Sequence, residues 1–280
     1  MSQEIKQREH ATWTEVAPGW KKHDAGLTAA YGAVTQRMLQ GARVGAGGRV
    51  LDVACGAGEP SLTAAEQVGP AGHVLATDFV EEMLEAAREK AARRRLSNIE
   101  FRRVDGEGIE LDPGSFDSAL MKWGLMYMPD PIGCLRRMHA ALRSGGRIAV
   151  ACWSAPSENP WAALVVGAIK KHLEVPPPAP GAPHLFAFAD KGRLQTALTE
   201  AGFVDIEIEA VPANAPPASS GAAHFAWVRD LAGPVTRLAA RLTPDQIAAV
   251  QAELDVSLET YRTPNGISVP GQSWVASGRK

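Results

Sequence analysis

The chain has 280 residues, of which 45% are apolar, with 29 Lys and Arg set against 31 Asp and Glu. This is the composition of a globular protein with a substantial core, and its formal net charge of −2 gives no electrostatic reason to expect nucleic acid or an anionic membrane as partner. Three scattered cysteines, Cys55, Cys134 and Cys152, point to neither a disulfide framework nor a zinc site. The polar start lacks the apolar run of a secretory signal, and no stretch has the roughly 18 apolar residues of a membrane span, so the expectation is a cytoplasmic protein without a spanning segment.

Apolar residues across 11–45 recur at helical spacing, and Pro18-Gly19 predicts a break there into two helices. A glycine-rich turn at 45–48 leads into a short β-rich run, Arg49 to Ala54, that ends in Cys55-Gly56-Ala57-Gly58. A buried parallel strand has this character. Pro60 suits the first turn of a helix ending near Val68. The alternation then repeats: strand His73 to Thr77, helix Val80 to Arg95, strand Ile99 to Val104, strand Ser115 to Met121, helix Asp130 to Leu142 closed by Gly145-Gly146, and strand Arg147 to Trp153. Strands alternating with helices predict βαβ units and a parallel sheet, an α/β class.

Beyond residue 154 the character changes. A helical run near Trp161 to Leu173 leads into the extended connector Pro176 to Pro180. Asp190 caps a predicted helix to Ala201, and Phe203 to Val211 alternates like a strand. Residues 212–222 read as loop, Pro234 to Arg241 and Pro244 to Tyr261 as helices, and Ile267 to Ser277 as a last strand. The expected organisation is one domain over 1–280. It comprises an N-terminal helical lid (1–44), a cofactor-binding core (45–154), lid or substrate insertions (155–187 and 212–262), and the C-terminal part of the sheet (188–211 and 263–280).

Glycines between a strand and a helix let a ligand approach the backbone. On its own this loop also fits the dinucleotide element of an NAD-dependent oxidoreductase. Two details separate them: Ser61 stands where a third small Gly or Ala would, and the acidic Asp52 precedes the loop, where it suits an ammonium better than a pyrophosphate. Asp78, at the end of the second strand, can accept both ribose hydroxyls of an adenosine. Met83 can pack on an adenine face, and Asp105 can accept its amino group. Core packing and turn formation account for the last two equally simply.

The ordered segments VLDVACGAGEPSL, TDFVEEML, VDGEGIEL, SFDSALMKWGLMYMPDP and LRSGGRIAVACW resemble the class I methyltransferases that depend on S-adenosylmethionine (SAM). The nearest type is the ubiquinone/menaquinone-biosynthesis C-methyltransferase-like (methyltransferase type 11) family. The resemblance covers 45–153 strongly and 185–211 weakly. It implies a Rossmann-like, mostly parallel seven-stranded sheet with helices on both faces and helical lids, and SAM as cofactor with S-adenosylhomocysteine (SAH) as product. It further implies that Gly56 and Gly58 take the methionine part, that Asp52 supports its ammonium through hydrogen bonds or water, and that Asp78 takes the ribose. Phe79 and Met83 would flank the adenine, with Asp105, Gly106 and Glu107 at its edge. Ala54 and the backbone of Lys122 would lie at the methionine end, with Trp20 in a lid above. Trp123, Met126, Tyr127, Trp153 and Phe188 would meet the substrate.

No Asn/Asp-Pro-Pro-aromatic run follows the fourth strand, which argues against amide or exocyclic-amine methylation. No acidic oxygen-ligand set is evident there, so no metal is expected. His23, His184 and His224 fall in lid segments and are candidate general bases. The expected function is methyl transfer to a small, aromatic or hydrophobic metabolite, at carbon, oxygen or nitrogen. A non-catalytic SAM-binding or regulatory protein is the alternative, and an NAD-dependent oxidoreductase a more distant one.

Overall fold

The structure, a computed structural model, describes residues 2–179 and 181–280. Met1, and Pro180 at the end of the proline-rich connector, lie outside the described residues. Helices α1 (Ser2–Lys22) and α2 (Asp24–Gly41) precede β1 (Arg49–Val53), α3 (Ser61–Val68), β2 (His73–Asp78), α4 (Glu81–Arg93), β3 (Ile99–Arg103), β4 (Phe116–Lys122), α5 (Pro131–Ala141) and β5 (Leu142–Trp153). After these come α6 (Pro160–Lys170), α7 (Lys191–Glu200), β6 (Val204–Pro212), α8 (Gly221–Leu231), α9 (Gly233–Ala239) and α10 (Pro244–Ser257). A two-stranded hairpin, β7 (Arg262–Thr263) with β8 (Gly266–Ile267), leads to β9 (Gln272–Arg279).

Among the described residues the main sheet has seven strands in the order β3-β2-β1-β4-β5-β9-β6. Its first five are parallel, and β9 runs antiparallel to both neighbours. This is the Rossmann-like sheet that the sequence implied. Strand direction explains the apolar runs: Val50, Leu51 and Val53, and Ile148 through Cys152, are buried because helices cover both faces. The order reverses between β1 and β4. A crevice opens at such a switch point, outside the carboxyl ends of the strands, and the cavity described below lies there.

Four expectations change. Helix α1 runs through Pro18 rather than breaking at it. The lost backbone N–H is offset by packing against α8, and Gly19 is there for contact, since a Cβ on it would lie 2.0 Å from the Asp230 carbonyl oxygen. Strand β5 begins at Leu142, which pairs with Phe116 through an irregular register, so 142–146 extend the sheet. Residues 221–231, left without an element in the sequence reading, form α8. The Ser220 hydroxyl caps it by accepting from the Ala223 amide, and His224, Phe225, Val228 and Leu231 face inward. The predicted last strand divides into β8 and β9 around Pro270-Gly271, where proline cannot donate to a ladder. Asp190 and Asp130 cap α7 and α5 as their positions suggest, each carboxylate accepting an amide three residues on.

Candidate active site

A cavity of about 330 Å³ lies over the carboxyl ends of β1, β2 and β4. Its floor is the loop after β1. Ala54 (φ 57°) and Gly56 (φ 53°) both take the left-handed conformation, which folds the loop back so that its backbone lines the cavity. The Gly56 amide donates to Asp78 Oδ2 at 2.8 Å and the Val80 amide to Asp78 Oδ1 at 3.0 Å. The Asp78 carboxylate is thereby fixed at the cavity wall, each oxygen keeping acceptor capacity. Burial raises its pKa to about 6, although the amides of Val80, Gly56 and Phe79 oppose the rise.

Asp52 and Gly58 act behind the loop and do not line the cavity. Asp52 is fully buried and accepts a short hydrogen bond from the Ser61 hydroxyl, while its Oδ1 has no hydrogen-bond partner. Burial raises its pKa to about 7, against the Ser61 bond. Ser61, which had marked a departure from the dinucleotide pattern, is therefore the partner of Asp52. At Gly58 (φ 109°) a Cβ would stand 2.8 Å from Leu62 Cδ1 and 3.2 Å from the Ala87 Cβ, so this glycine serves helix packing.

The expected Phe79, Met83, Asp105, Gly106 and Glu107 line one end of the cavity, joined by Val104, expected only as a strand residue. Gly106 fits close to the sheet: a Cβ there would be 2.6 Å from Val53 Cγ1. The Asp105 side chain accepts from the Glu107 amide at 2.9 Å and from Lys6 Nζ at 2.6 Å. Lys6 also pairs with Glu107, so α1 is latched over this end. No sequence signal singled out Lys6, because its partners lie about a hundred residues away.

The other end is aromatic. Trp123 and Trp153 stack at 4.4 Å, and Tyr31 meets both rings edge-on, at 4.7 and 5.9 Å. Trp161 lies 4.9 Å from Trp153 and 5.8 Å from Trp227, while Trp13 stands 4.9 Å from Tyr127. Trp123 (φ 57°) is pinned by donating its Nε1 hydrogen to Ser273 Oγ at 3.0 Å. The expected Trp20, Trp123, Tyr127 and Trp153 line the cavity, and so do Trp13, Trp161 and Trp227 from the predicted lids. Met126 and Phe188 do not. Both are core residues, Met126 offering its carbonyl to the His184 amide and Phe188 lying under Arg193. Tyr31, Thr35, Asp24 and Glu9 are wall residues that sequence reasoning missed, since α1 and α2 carry no motif.

None of the three candidate histidines lines the cavity. His23 Nε2 bonds Asp230 at 2.9 Å, tying the junction of α1 and α2 to α8. His224 is buried and donates from Nε2 to the Trp161 carbonyl at 2.9 Å. His184 Nδ1 accepts from the Phe186 amide at 3.2 Å. Burial lowers the pKa of both His184 and His224. Lys122, expected to contribute through its backbone, also places its side chain in the cavity, with Nζ 3.4 Å from Thr35 Oγ1. No group of three or more His, Cys, Asp and Glu suited to a metal ion occurs among the described residues. Nor is any described helix long and apolar enough to cross a membrane.

Residues 45–202 match the family described as "Methyltransferase domain". The chain belongs to this methyltransferase family. A demethylmenaquinone methyltransferase of Listeria monocytogenes serotype 4a is 31% identical over 167 residues, which is 58% of this chain and 68% of that enzyme. The enzyme of the same name from Lactococcus lactis is 36% identical over 99 residues, 35% of this chain and 39% of that one. Among solved structures, the YcgJ protein of Bacillus subtilis superposes with a TM-score of 0.56 at 18% identity, over 88% of this chain and 97% of its own. The cyclase SpnF does so with a TM-score of 0.55 at 18% identity, over 95% of each chain. These two likenesses concern the fold. The family and its relatives make this chain a class I, SAM-dependent methyltransferase, allied to the menaquinone C-methyltransferases.

Proposed function

We propose that this methyltransferase carries the methyl group of SAM to a small, flat aromatic or hydrophobic acceptor, without a metal. The observation that carries this reading is the division of the cavity into a loop-and-carboxylate end and a chamber walled by Tyr31, Trp123, Trp153, Trp161 and Trp227. Ligand sites of small metabolites are apolar with a few fixed polar groups, as here.

The residues present fit the cofactor. The left-handed backbone at Ala54 and Gly56 leaves the floor open, with no atom within 4 Å of where a Gly56 Cβ would stand. Glu9 Oε2 and Trp227 Nε1, on two wall residues, are buried and unpartnered. Gly56 and Ala54 would hold the methionine part by their backbone, together with that of Lys122. The Asp78 carboxylate would hold the ribose hydroxyls. Phe79 and Met83 would sandwich the adenine, with Asp105, Gly106 and Glu107 at its edge and Trp20 in the lid. Asp52 would support the loop from behind, through Ser61, rather than touch the ligand. When bound, SAM supplies a sulfonium methyl that leaves by in-line displacement.

The chain's own task is then alignment and exclusion of water. A well-oriented pair gains up to roughly 7–11 kcal/mol over random encounter. Trp161 and Trp227, on α6 and α8, wall the chamber, while Trp13 and Trp20 on α1 pack with Phe79 and Met83 over the cofactor end, and excluding water there sharpens the local electrostatics. The relatives' names point to the same kind of acceptor, a flat ring of the demethylmenaquinone type. The family match contains Trp123, Trp153 and Trp161 but stops short of α1, α2 and α8, which carry Tyr31 and Trp227 among the chamber walls.

Calorimetry with SAM, SAH and NAD tests the cofactor, and SAH binding without NAD binding is expected. A labelled-methyl transfer screen over phenolic, quinone-like, indole and amine metabolites tests the acceptor. Tight NAD binding with no SAM binding would sink the reading.

A further inference from the structure

Three cations line the cavity among the described residues: Lys6, Lys90 and Lys122. Two are neutralised in place. Lys6 pairs with Asp105 and Glu107, and Lys90 with Asp24 at 2.5 Å. Among the described residues, Lys122 Nζ has no carboxylate within ion-pair distance, and its hydrogen-bond partner is the Thr35 hydroxyl at 3.4 Å. Of the surrounding carboxylates, Glu59 holds Arg94 at 2.7 Å and the Thr63 hydroxyl at 2.7 Å, Asp24 holds Lys90, and Asp52 accepts from Ser61 through Oδ2 while its Oδ1 is unpartnered and outside ion-pair distance of Lys122.

The position of Lys122 is as informative as its lack of a partner. Its Nζ lies 5.3 Å from the Trp123 ring centroid and touches Thr35, one turn along α2 from Tyr31. Trp123 and Tyr31 are chamber walls, whereas Asp52 and Glu59, the nearest anionic influences, belong to the loop side. The amine therefore sits where the two ends of the cavity meet. Lys122 is half-buried, and an ammonium drawn part-way out of water without an ion-pair partner is costly. Burial, partly offset by Glu59, Asp52 and Asp24 and reinforced by Lys90, lowers its pKa to about 8. A lysine so tuned exchanges a proton near neutral pH.

We propose that Lys122 is a catalytic residue that ionises an acidic hydroxyl on the acceptor, which makes the acceptor an enol or phenol rather than an amine. This rests on the methyltransferase reading above. The neutral amine takes the hydroxyl proton: the O–H bond breaks, an N–H bond forms, and the resulting ammonium holds the oxyanion. The oxyanion, or the ring carbon conjugated with it, then donates its electron pair to the methyl carbon. The carbon–sulfur bond breaks with its pair left on sulfur, giving SAH. If carbon is the nucleophile, the ring proton departs to water afterwards, and Lys122 returns its own proton to the ring oxygen, which restores the hydroxyl and the neutral amine. The chamber stacks the ring, Lys122 charges it, and no histidine is needed.

The probe is 4-nitrophenol, whose phenolate is yellow, added to the SAH-loaded protein at a pH where the free phenol is mostly protonated. Wild type is expected to bind it with appearance of the phenolate band. Lys122→Met should abolish the band and weaken binding at least 10-fold while leaving SAH affinity within a factor of about 3. Lys122→Arg, which keeps a cation but cannot take up a proton, should retain the band only with release of the phenol's proton to the buffer, where wild type keeps that proton on the side chain. Should Lys122→Met fold poorly, Lys122→Gln reads the same signal. No band in wild type, a band that survives Lys122→Met, or loss of SAH binding in that variant would overturn the proposal, the last by assigning the amine to the cofactor's carboxylate. A wild type that binds no SAH would instead remove the methyltransferase reading itself.

Discussion

The two ends of the cavity are built in opposite ways. The loop-and-carboxylate end comes from successive strand ends, with Ala54 to Ala57, Asp78 to Met83 and Val104 to Glu107 all within one run of βαβ units. The aromatic end is assembled from distant pieces: Tyr31 on α2, Trp123 after β4, Trp153 ending β5, Trp161 on α6 and Trp227 on α8. The first end is polar, with fixed backbone donors and buried carboxylates. The second is close-packed rings whose few polar atoms are mostly tied down, such as Trp123 to Ser273 and Trp161 to Asn159. A site that must hold one invariant cofactor can be written into consecutive turns. One that must fit a particular acceptor is shaped by whichever helices are laid across the top.

If the two ends are separable, pH should act on the first and truncation on the second. Asp52 and Asp78 have pKa values raised from 3.8 to about 7 and about 6. A raised native pKa means that the folded state holds the proton longer, so their stabilising contribution is complete below about pH 4 and is lost as pH rises through 6 to 7. We expect the urea midpoint to fall across that window. Asp52→Asn should flatten the slope, and the same slope in that variant would show that Asp52 is not its source. Trp153→Ala should cost about 3–5 kcal/mol in unfolding free energy and eliminate acceptor binding, yet SAH titrations on the surviving folded protein should be near wild type. Equal losses of both ligands would mean that the halves are one unit.

Smaller effects sharpen the same comparison. Asp78→Ala should weaken SAH binding by about 1.5–3 kcal/mol, the range for hydrogen bonds to a charged group. An unchanged calorimetric affinity would remove Asp78 from the site. Gly19→Ala should destabilise by about 1–3 kcal/mol through overpacking between α1 and α8, visible as faster proteolysis of α1, with the sheet core protected. Least of all, Lys6→Ala should cost at most about 1 kcal/mol of SAH affinity, because that latch is a partly exposed ion pair. A loss that persists at high salt would show that Lys6 does more than pair with Asp105 and Glu107.

Much of the fold was legible because periodicity and capping are local. The five parallel strands, the helices between them and the caps at Asp130 and Asp190 follow from residues within a few positions of one another. Pro18 misled because its cost is local while its compensation, the seat of Gly19 on α8, is not. Helix α8 was obscured by the proline-rich run before it, although its inward face repeats at helical spacing. Of the expected site residues, Gly58, Asp52, Met126 and Phe188 sit behind the wall rather than in it. A glycine wanted for packing and one wanted for a ligand look identical in a sequence, as do a core aromatic and a chamber aromatic.

By itself the sequence determined the five parallel strands with their intervening helices and most of the polar end of the cavity, since short-range backbone geometry and strand burial specify them. The tertiary structure alone decided which tryptophans face one another, that the three histidines are engaged away from the cavity, and that Lys122 is left without a carboxylate in ion-pair range among the described residues. Those properties depend on contacts between residues far apart in the chain, and on which of several possible ion pairs the packing closes.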